Sequence, residues 1–285
     1  MNDPLTLRLM RRDEVGTLLE WAAAEGWNPG LHDDETFWAT DPEGFLAAEL
    51  DGQLIGGGAI VSYDGAFGFM GLFIVRPEFR LRGLGGRLWR ARLQLLRARL
   101  RSDATIGLDG VEAMASWYGS GGFAPSHRSI RYRAQGVVMD RPTSVVRADE
   151  VPHAWIAAYD RRCFPAPRDR FLRAWLEQDD ALVLAVPGRD RVRGYGVVRR
   201  CRVGAKIGPL FADDGEVAEQ LYRALAAFAP GEPVYLDVPE VNAWAMALAR
   251  RHRMSVDFSV VRMYLGDAPR LAESRVFGTT TFELG

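Results

Sequence analysis

The chain has 285 residues, 48% hydrophobic and 26% charged, with a formal charge of −1, which fits two ordinary domains and leaves no global attraction to nucleic acid or an anionic membrane surface. No apolar run approaches the roughly 20 residues of a spanning helix, and the N-terminal residues lack a secretory apolar stretch, so a cytoplasmic protein is expected. Cys163 and Cys201 have neither a metal-type spacing nor a disulfide framework, so no metal is expected.

Residues 5–10 predict a strand, and residues 12–24 a helix with Asp13 as N-cap. Gly26-Trp27-Asn28-Pro29-Gly30 breaks any regular pattern. Residues 33–40 predict a short helix. Three strands follow at 44–50, 55–63 and 67–75, joined by the turn signals Asp51-Gly52 and Asp64-Gly65. Gly56, Gly57, Gly58, Gly68 and Gly71 weaken these strands unless something must approach closely. After Pro77 comes Arg80-Leu81-Arg82-Gly83-Leu84-Gly85-Gly86, then a helix over 84–100 with leucines at helical spacing. A strand at 105–108, a helix at 111–118 and a strand at 128–133 complete one α/β domain over residues 1–136.

Beyond a linker at 137–142, residues 143–285 repeat that order. Asp13-Glu14-Val15 recurs as Asp149-Glu150-Val151, and Leu108-Asp109 as Leu236-Asp237. Helices are predicted at 151–162, 168–177, 216–228 and 243–251, and strands at 181–186, 194–200, 206–211, 234–238 and 258–265. The halves therefore read as a duplication. The tail at 276–284, rich in Thr and Phe, predicts an added edge strand.

The glycine turn lies between a strand and a helix, where backbone N–H groups are unpaired and the helix dipole favours an anion. Gly83, Gly85 and Gly86 allow a pyrophosphate to approach that backbone. Nine arginines between Arg76 and Arg101 face a single carboxylate, Glu78, a local excess suited to further phosphates. A glycine-rich loop ahead of a solvated basic helix is the plainer reading.

Arg80, Gly83 and Gly85 match the three fixed positions of Arg/Gln-x-x-Gly-x-Gly/Ala, the motif joining the fourth strand to the third helix in the GNAT acyltransferase family, and so residues 5–135 resemble that family. Trp117-Tyr118-Gly119-Ser120-Gly121-Gly122-Phe123 resembles its Tyr-x-x-x-Gly-Phe segment. The resemblance implies two tandem α/β (α+β) domains, each a mixed, mostly antiparallel sheet flanked by helices. It implies acetyl-CoA or another short acyl-CoA as co-substrate, held at Arg80, Leu81, Arg82, Gly83, Leu84, Gly85 and Gly86. Pantetheine would pair with Phe73, Ile74 and Val75.

Tyr118 then matches the tyrosine that protonates the departing thiolate, a role suited to its ordinary pKa of about 10 against about 8.5 for a thiol. A core tyrosine is the plainer reading. GNAT enzymes often carry a glutamate base on the fourth strand, yet residues 67–75 contain no carboxylate. Asp109 is the nearest candidate, with His32 or a water chain behind it, and Asp109 could equally cap the next helix. Trp27, Asn28 and His32 fall where the family covers its acceptor pocket.

The second half carries Ala212-Asp213-Asp214-Gly215-Glu216 where a cofactor turn belongs, and three carboxylates there would repel a pyrophosphate. Ala249 stands at the tyrosine position. This half resembles a GNAT-like domain that has lost CoA binding, as in bacterial proteins with a divergent C-terminal acetyltransferase-like domain. Closing the acceptor pocket or forming a homodimer are roles open to it. The expected activity is acetyl transfer to a primary amine of a small molecule by direct attack. The alternatives are a non-catalytic acyl-CoA sensor and a protein N-acetyltransferase. A closed aromatic pocket favours the small acceptor, and a wide acidic groove the protein.

Overall fold

The structure, a computed structural model, describes residues 5–138 and 141–285, so the first four residues and part of the expected linker lie outside it. The first half runs β1 (Leu5–Leu9), α1 (Arg12–Ala24), α2 (Asp33–Thr40), β2 (Phe45–Leu50), β3 (Gln53–Tyr63), β4 (Phe67–Val75), α3 (Leu84–Ala98), β5 (Thr105–Val111), α4 (Ala115–Ser120) and β6 (Ala124–Gln135). The second runs β7 (Val146–Arg147), α5 (His153–Cys163), α6 (Asp169–Leu176), β8 (Ala181–Pro187), β9 (Val192–Arg200), β10 (Ala205–Ala212), α7 (Gly215–Ala226), β11 (Pro233–Pro239), α8 (Ala243–Arg251), β12 (Ser255–Leu265) and β13 (Val276–Gly278). No helix among the described residues is long and apolar enough to cross a membrane.

Local chemistry departs from expectation at α1. Its N-cap is Arg11 rather than Asp13, because the carboxylate of Glu14 reaches back to the Arg11 N–H at 2.8 Å and is itself gripped by Arg8. Asp13 sits inside the first turn, where it still favours the dipole.

The halves do not keep separate sheets. One continuous sheet runs β1-β2-β3-β4-β5-β12-β6-β11-β10-β9-β8-β7. Only β4 with β5 and β10 with β11 are parallel. Strand β6, first-half in sequence, pairs with β12 and β11, while β12, second-half in sequence, pairs with β5 and β6. Each half's closing strand is thus held by the other half.

Two matching ion pairs lock the exchange. In the β12–β5 register Arg262 faces Asp109, and in the β6–β11 register Arg131 faces Asp237. Both contacts are bidentate at 2.6–2.7 Å and buried. Removing one partner of such a pair costs about 3–5 kcal/mol, because the other charge is left buried without compensation. A register slip of one residue in either ladder would break its pair.

The junction is also packed from both sides. One core cluster joins Leu18, Phe37 and Phe45 to Phe164, Phe171 and Trp175. Phe37 and Trp175 lie parallel, 6.2 Å between ring centroids, where α2 meets α6. Buried Asp33 grips Arg199 of β9 at 2.9 Å. The loop between α1 and α2 is therefore fixed against the second half.

Candidate active site

Strands β4 and β5 pair only from Phe67–Thr105 to Met70–Leu108 and then part. A cleft of about 490 Å³ opens in the gap. At the parting point β4 is bulged: Leu72 and Phe73 oppose Gly58 alone, and Leu72 adopts φ +48°. Such a left-handed leucine is strained and persists only where its surroundings demand it. The demand comes partly from Arg92 of α3, whose guanidinium lies over Gly58, where a Cβ would come within 2.5 Å of it. Arg92 donates to the carbonyls of Ala59 and Gly71, next to the interrupted ladder. It is fully buried with no carboxylate partner among the described residues, and burial pushes its pKa down to about 9, with Tyr118 acting the other way.

The glycine turn follows β4. Gly83 takes φ +77° and forms the N-cap of α3, which has no side-chain cap, so its first N–H groups stay available to an anion. Arg80, Leu81, Gly83, Gly85 and Gly86 line the cleft with Phe73, Ile74 and Val75. Arg82 and Leu84 do not: Arg82 lies 5.6 Å from the Phe79 ring, and Leu84 packs into the core under α3. Arg80 is held by the Val75 carbonyl at 2.7 Å and by Glu25 of the α1–α2 loop. These features fit a CoA pyrophosphate: a helix start without a side-chain cap, glycines at 83, 85 and 86 and a basic group beside them.

Tyr118 lies on the other wall. Its ring covers Gly110 of β5, where a Cβ would come within 2.5 Å of it. The ring is clustered with Trp89 at 5.1 Å and Trp117 at 5.3 Å, and Phe73 stacks on Trp117. Burial raises the Tyr118 hydroxyl and Arg92 pulls it back. The phenol therefore stays protonated at neutral pH, as a proton donor must.

The predicted acceptor residues divide. Trp27 lines the cleft, while Asn28 and His32 do not. The side chain of Asn28 pairs with both backbone groups of Val203, and His32 bonds Asp180 at 2.9 Å, which raises its pKa. Both residues position the Trp27 loop rather than touch the cleft. Asp109 does line it, but both its oxygens are taken by Arg262, and it caps no helix, since Met114 precedes α4.

The remaining acceptor wall is unpredicted. Phe258 and Val260 come from β12, Arg131 from β6, and Phe282 and Glu283 from the tail. Arg131 lies 4.6 Å from the Phe258 ring and 5.1 Å from that of Phe282. The tail was expected as an edge strand. Instead β13 pairs with β10 inside the sheet, and residues 279–285 run buried toward β4. No local sequence signal marks this path, although the buried fate of Phe282 fits the tail's apolar content.

The equivalent place in the second half is closed. After Ile207–Leu236, β10 and β11 part as β4 and β5 do, but β13 occupies the gap by pairing at Leu210 and Phe211. Asp214 caps α7, accepting from Glu216 N and Val217 N at 3.0 Å. These backbone bonds, then Arg193, lower its pKa, and its carboxylate occupies the anion position. A cavity of about 50 Å³ is bounded by Phe211 of β10, Pro239 of β11 and Val276 of β13.

Comparison with known proteins agrees with this geometry. Residues 12–118 match the model for the acetyltransferase (GNAT) family, and residues 156–278 match the model for an acetyltransferase (GNAT) domain. A holothin acyltransferase from Pseudoalteromonas sp. (strain SANK 73390) is 27% identical over 93% of this chain and 90% of its own. A candidate acetyltransferase from Pyrococcus horikoshii superposes with a TM-score of 0.86 at 25% identity, covering 100% of this chain and 97% of its own. A tandem GNAT protein from the clavulanic acid biosynthesis pathway shares the fold, with a TM-score of 0.63 at 13% identity over 93% of this chain and 99% of its own. The chain belongs to the GNAT acyltransferase family and carries two GNAT domains in tandem.

Proposed function

We propose that this chain transfers an acetyl or other short acyl group from CoA to a primary amine of a small molecule, using the first half's cleft alone. The carrying observation is the single cleft that joins the glycine turn, the parted edge of β4 and Tyr118. The pyrophosphate would rest on the α3 N-terminus and Arg80, and pantetheine would extend β4 at Phe73, Ile74 and Val75. Backbone N–H groups at the bulge would face the thioester oxygen, and Tyr118 would protonate the leaving sulfur. Holding donor and acceptor in one dry cleft supplies the orientation that direct attack needs.

The acceptor end supports a small molecule. Trp27, Phe258 and Phe282 wall it, which suits a compact apolar amine better than an extended peptide. The relative named holothin acyltransferase points the same way. A panel of amines incubated with acetyl-CoA, followed by free-thiol release, tests the reading. Release with at least one small amine is expected. Tight CoA binding without release from any amine would favour the sensor, and release only with peptide amines would favour the protein substrate.

A further inference from the structure

We infer that Glu283, delivered into the first half's cleft by the second half's tail, is the catalytic residue that takes the proton lost by the attacking amine. The inference rests on the N-acyltransfer reading above. Three acidic residues line the cleft, Glu25, Asp109 and Glu283. Glu25 is engaged with Arg80, and Asp109 with Arg262 through both oxygens. Glu283 bonds the Thr281 hydroxyl and makes no ion pair among the described residues. It is the carboxylate that retains acceptor capacity toward the cleft.

Its seat is built from both halves. Asn242 donates to the carbonyl of Val276 at 2.9 Å, and Thr279 N donates to Asp237 O at 2.8 Å, tying the tail to the second half. The Tyr63 hydroxyl donates to Leu284 O at 2.8 Å, tying it to the first. Between these anchors the Glu283 main chain presses on Gly71, where a Cβ would lie 2.0 Å from the Glu283 carbonyl oxygen. Gly71 immediately precedes the bulge at Leu72, so the segment sits where β4 leaves β5. Asp109 of β5, Arg131 of β6, Arg199 of β9 and Lys206 of β10 surround Glu283. Arg131 and Arg199 pair with Asp237 and Asp33, Arg199 keeping Nη1 without a hydrogen-bond partner among the described residues, and Lys206 donates to the carbonyls of Trp27 and Asn28.

The step balances. The amine nitrogen forms the C–N bond, and the C–S bond breaks with its electron pair on sulfur. Glu283 takes the ammonium proton and passes it to solvent, then takes the nitrogen's second proton as the C–N bond forms; Tyr118 gives its phenolic proton to the sulfur, and solvent exchange returns both groups to their starting states. The net change is one amine proton to CoA and, from an ammonium substrate only, one further proton to solvent.

The test compares wild type with Glu283→Gln in the full chain, using acetyl-CoA with benzylamine or aniline and measuring CoA binding and thermal melting alongside. Benzylamine is an ammonium ion at neutral pH and must be deprotonated, whereas aniline is already neutral. We expect a loss of about 10²-fold or more in kcat/KM for benzylamine, a smaller loss for aniline, and recovery as pH rises and free amine accumulates. CoA affinity and melting should change little. A variant within threefold of wild type, or a loss equal for both amines and flat with pH, overturns the inference. Wild-type CoA binding without turnover of either amine overturns it together with the reading it rests on, whereas wild-type turnover with an unaffected variant overturns it alone.

Discussion

The two halves of this chain share an element order and differ at one place, the gap beyond the parallel pair. In the first half the gap between β4 and β5 is an open cleft beneath an uncapped helix start. In the second, β13 fills the gap and Asp214 occupies the helix start. The same splay of strands can therefore receive a ligand or the protein's own chain. Two features separate them: glycines against carboxylates at the turn, which is local, and the seating of β13 beside β10, which is not.

The comparison can be broken most forcefully at the crossed ion pairs. Asp109→Asn and Asp237→Asn each leave a buried arginine uncompensated and should each destabilise by about 3–5 kcal/mol in urea unfolding. Equal losses from both would confirm that the strand exchange is symmetric in energy, and a loss below about 1 kcal/mol from either would end that symmetry. Tyr118→Phe should lower kcat about 10²-fold, some 2.7 kcal/mol in the barrier, with CoA affinity retained. Unchanged turnover at every pH would remove Tyr118 from the mechanism.

Calorimetry should find one CoA per chain. Gly85→Glu, which brings the second half's acidity to the first half's turn, should weaken CoA by at least about tenfold. The reverse change, Asp213→Gly with Asp214→Gly, should leave the count at one, because β13 still fills the second gap. Two sites would mean that charge alone silenced that half.

The smallest effect concerns His127 of β6, which lines the second half's residual cavity. Burial, then Arg262, pushes its pKa down to about 4. The unfolded chain, with its imidazole near 6.5, binds the proton more readily. Stability is therefore fully present above about pH 6.5 and declines as pH falls toward 4, by on the order of 1 kcal/mol once the partial exposure of the ring is allowed for. His127→Gln should flatten that part of the urea-midpoint profile, and an unchanged profile would show that His127 titrates normally.

Much of this was legible along the chain. The glycine turn of Arg80 to Gly86 is local chemistry, since a glycine-rich turn before an amphipathic helix needs only a few adjacent residues. Tyr118 followed by Gly122-Phe123 is similarly local, and so is the acidic start of α7, where Asp214 caps as its position implies. Asn28 and His32 misled because a polar loop residue can face a pocket or a neighbouring domain, and spacing does not distinguish the two. Here both face the second half.

Taken alone, the sequence determined the element order, the duplication and which half carries the glycine turn and which the acidic one, because each depends on periodicity or on residues within one turn of each other. The tertiary structure alone decided the exchange of β6 and β12, the plugging of the second gap and the arrival of Phe282 and Glu283 at the first half's cleft. Those contacts join residues far apart in the chain, from Leu210 with Gly278 to Arg262 with Asp109 and Gly71 with Glu283. Strand pairing is specified by the two edges that meet, and neither edge carries the identity of its partner in its own pattern.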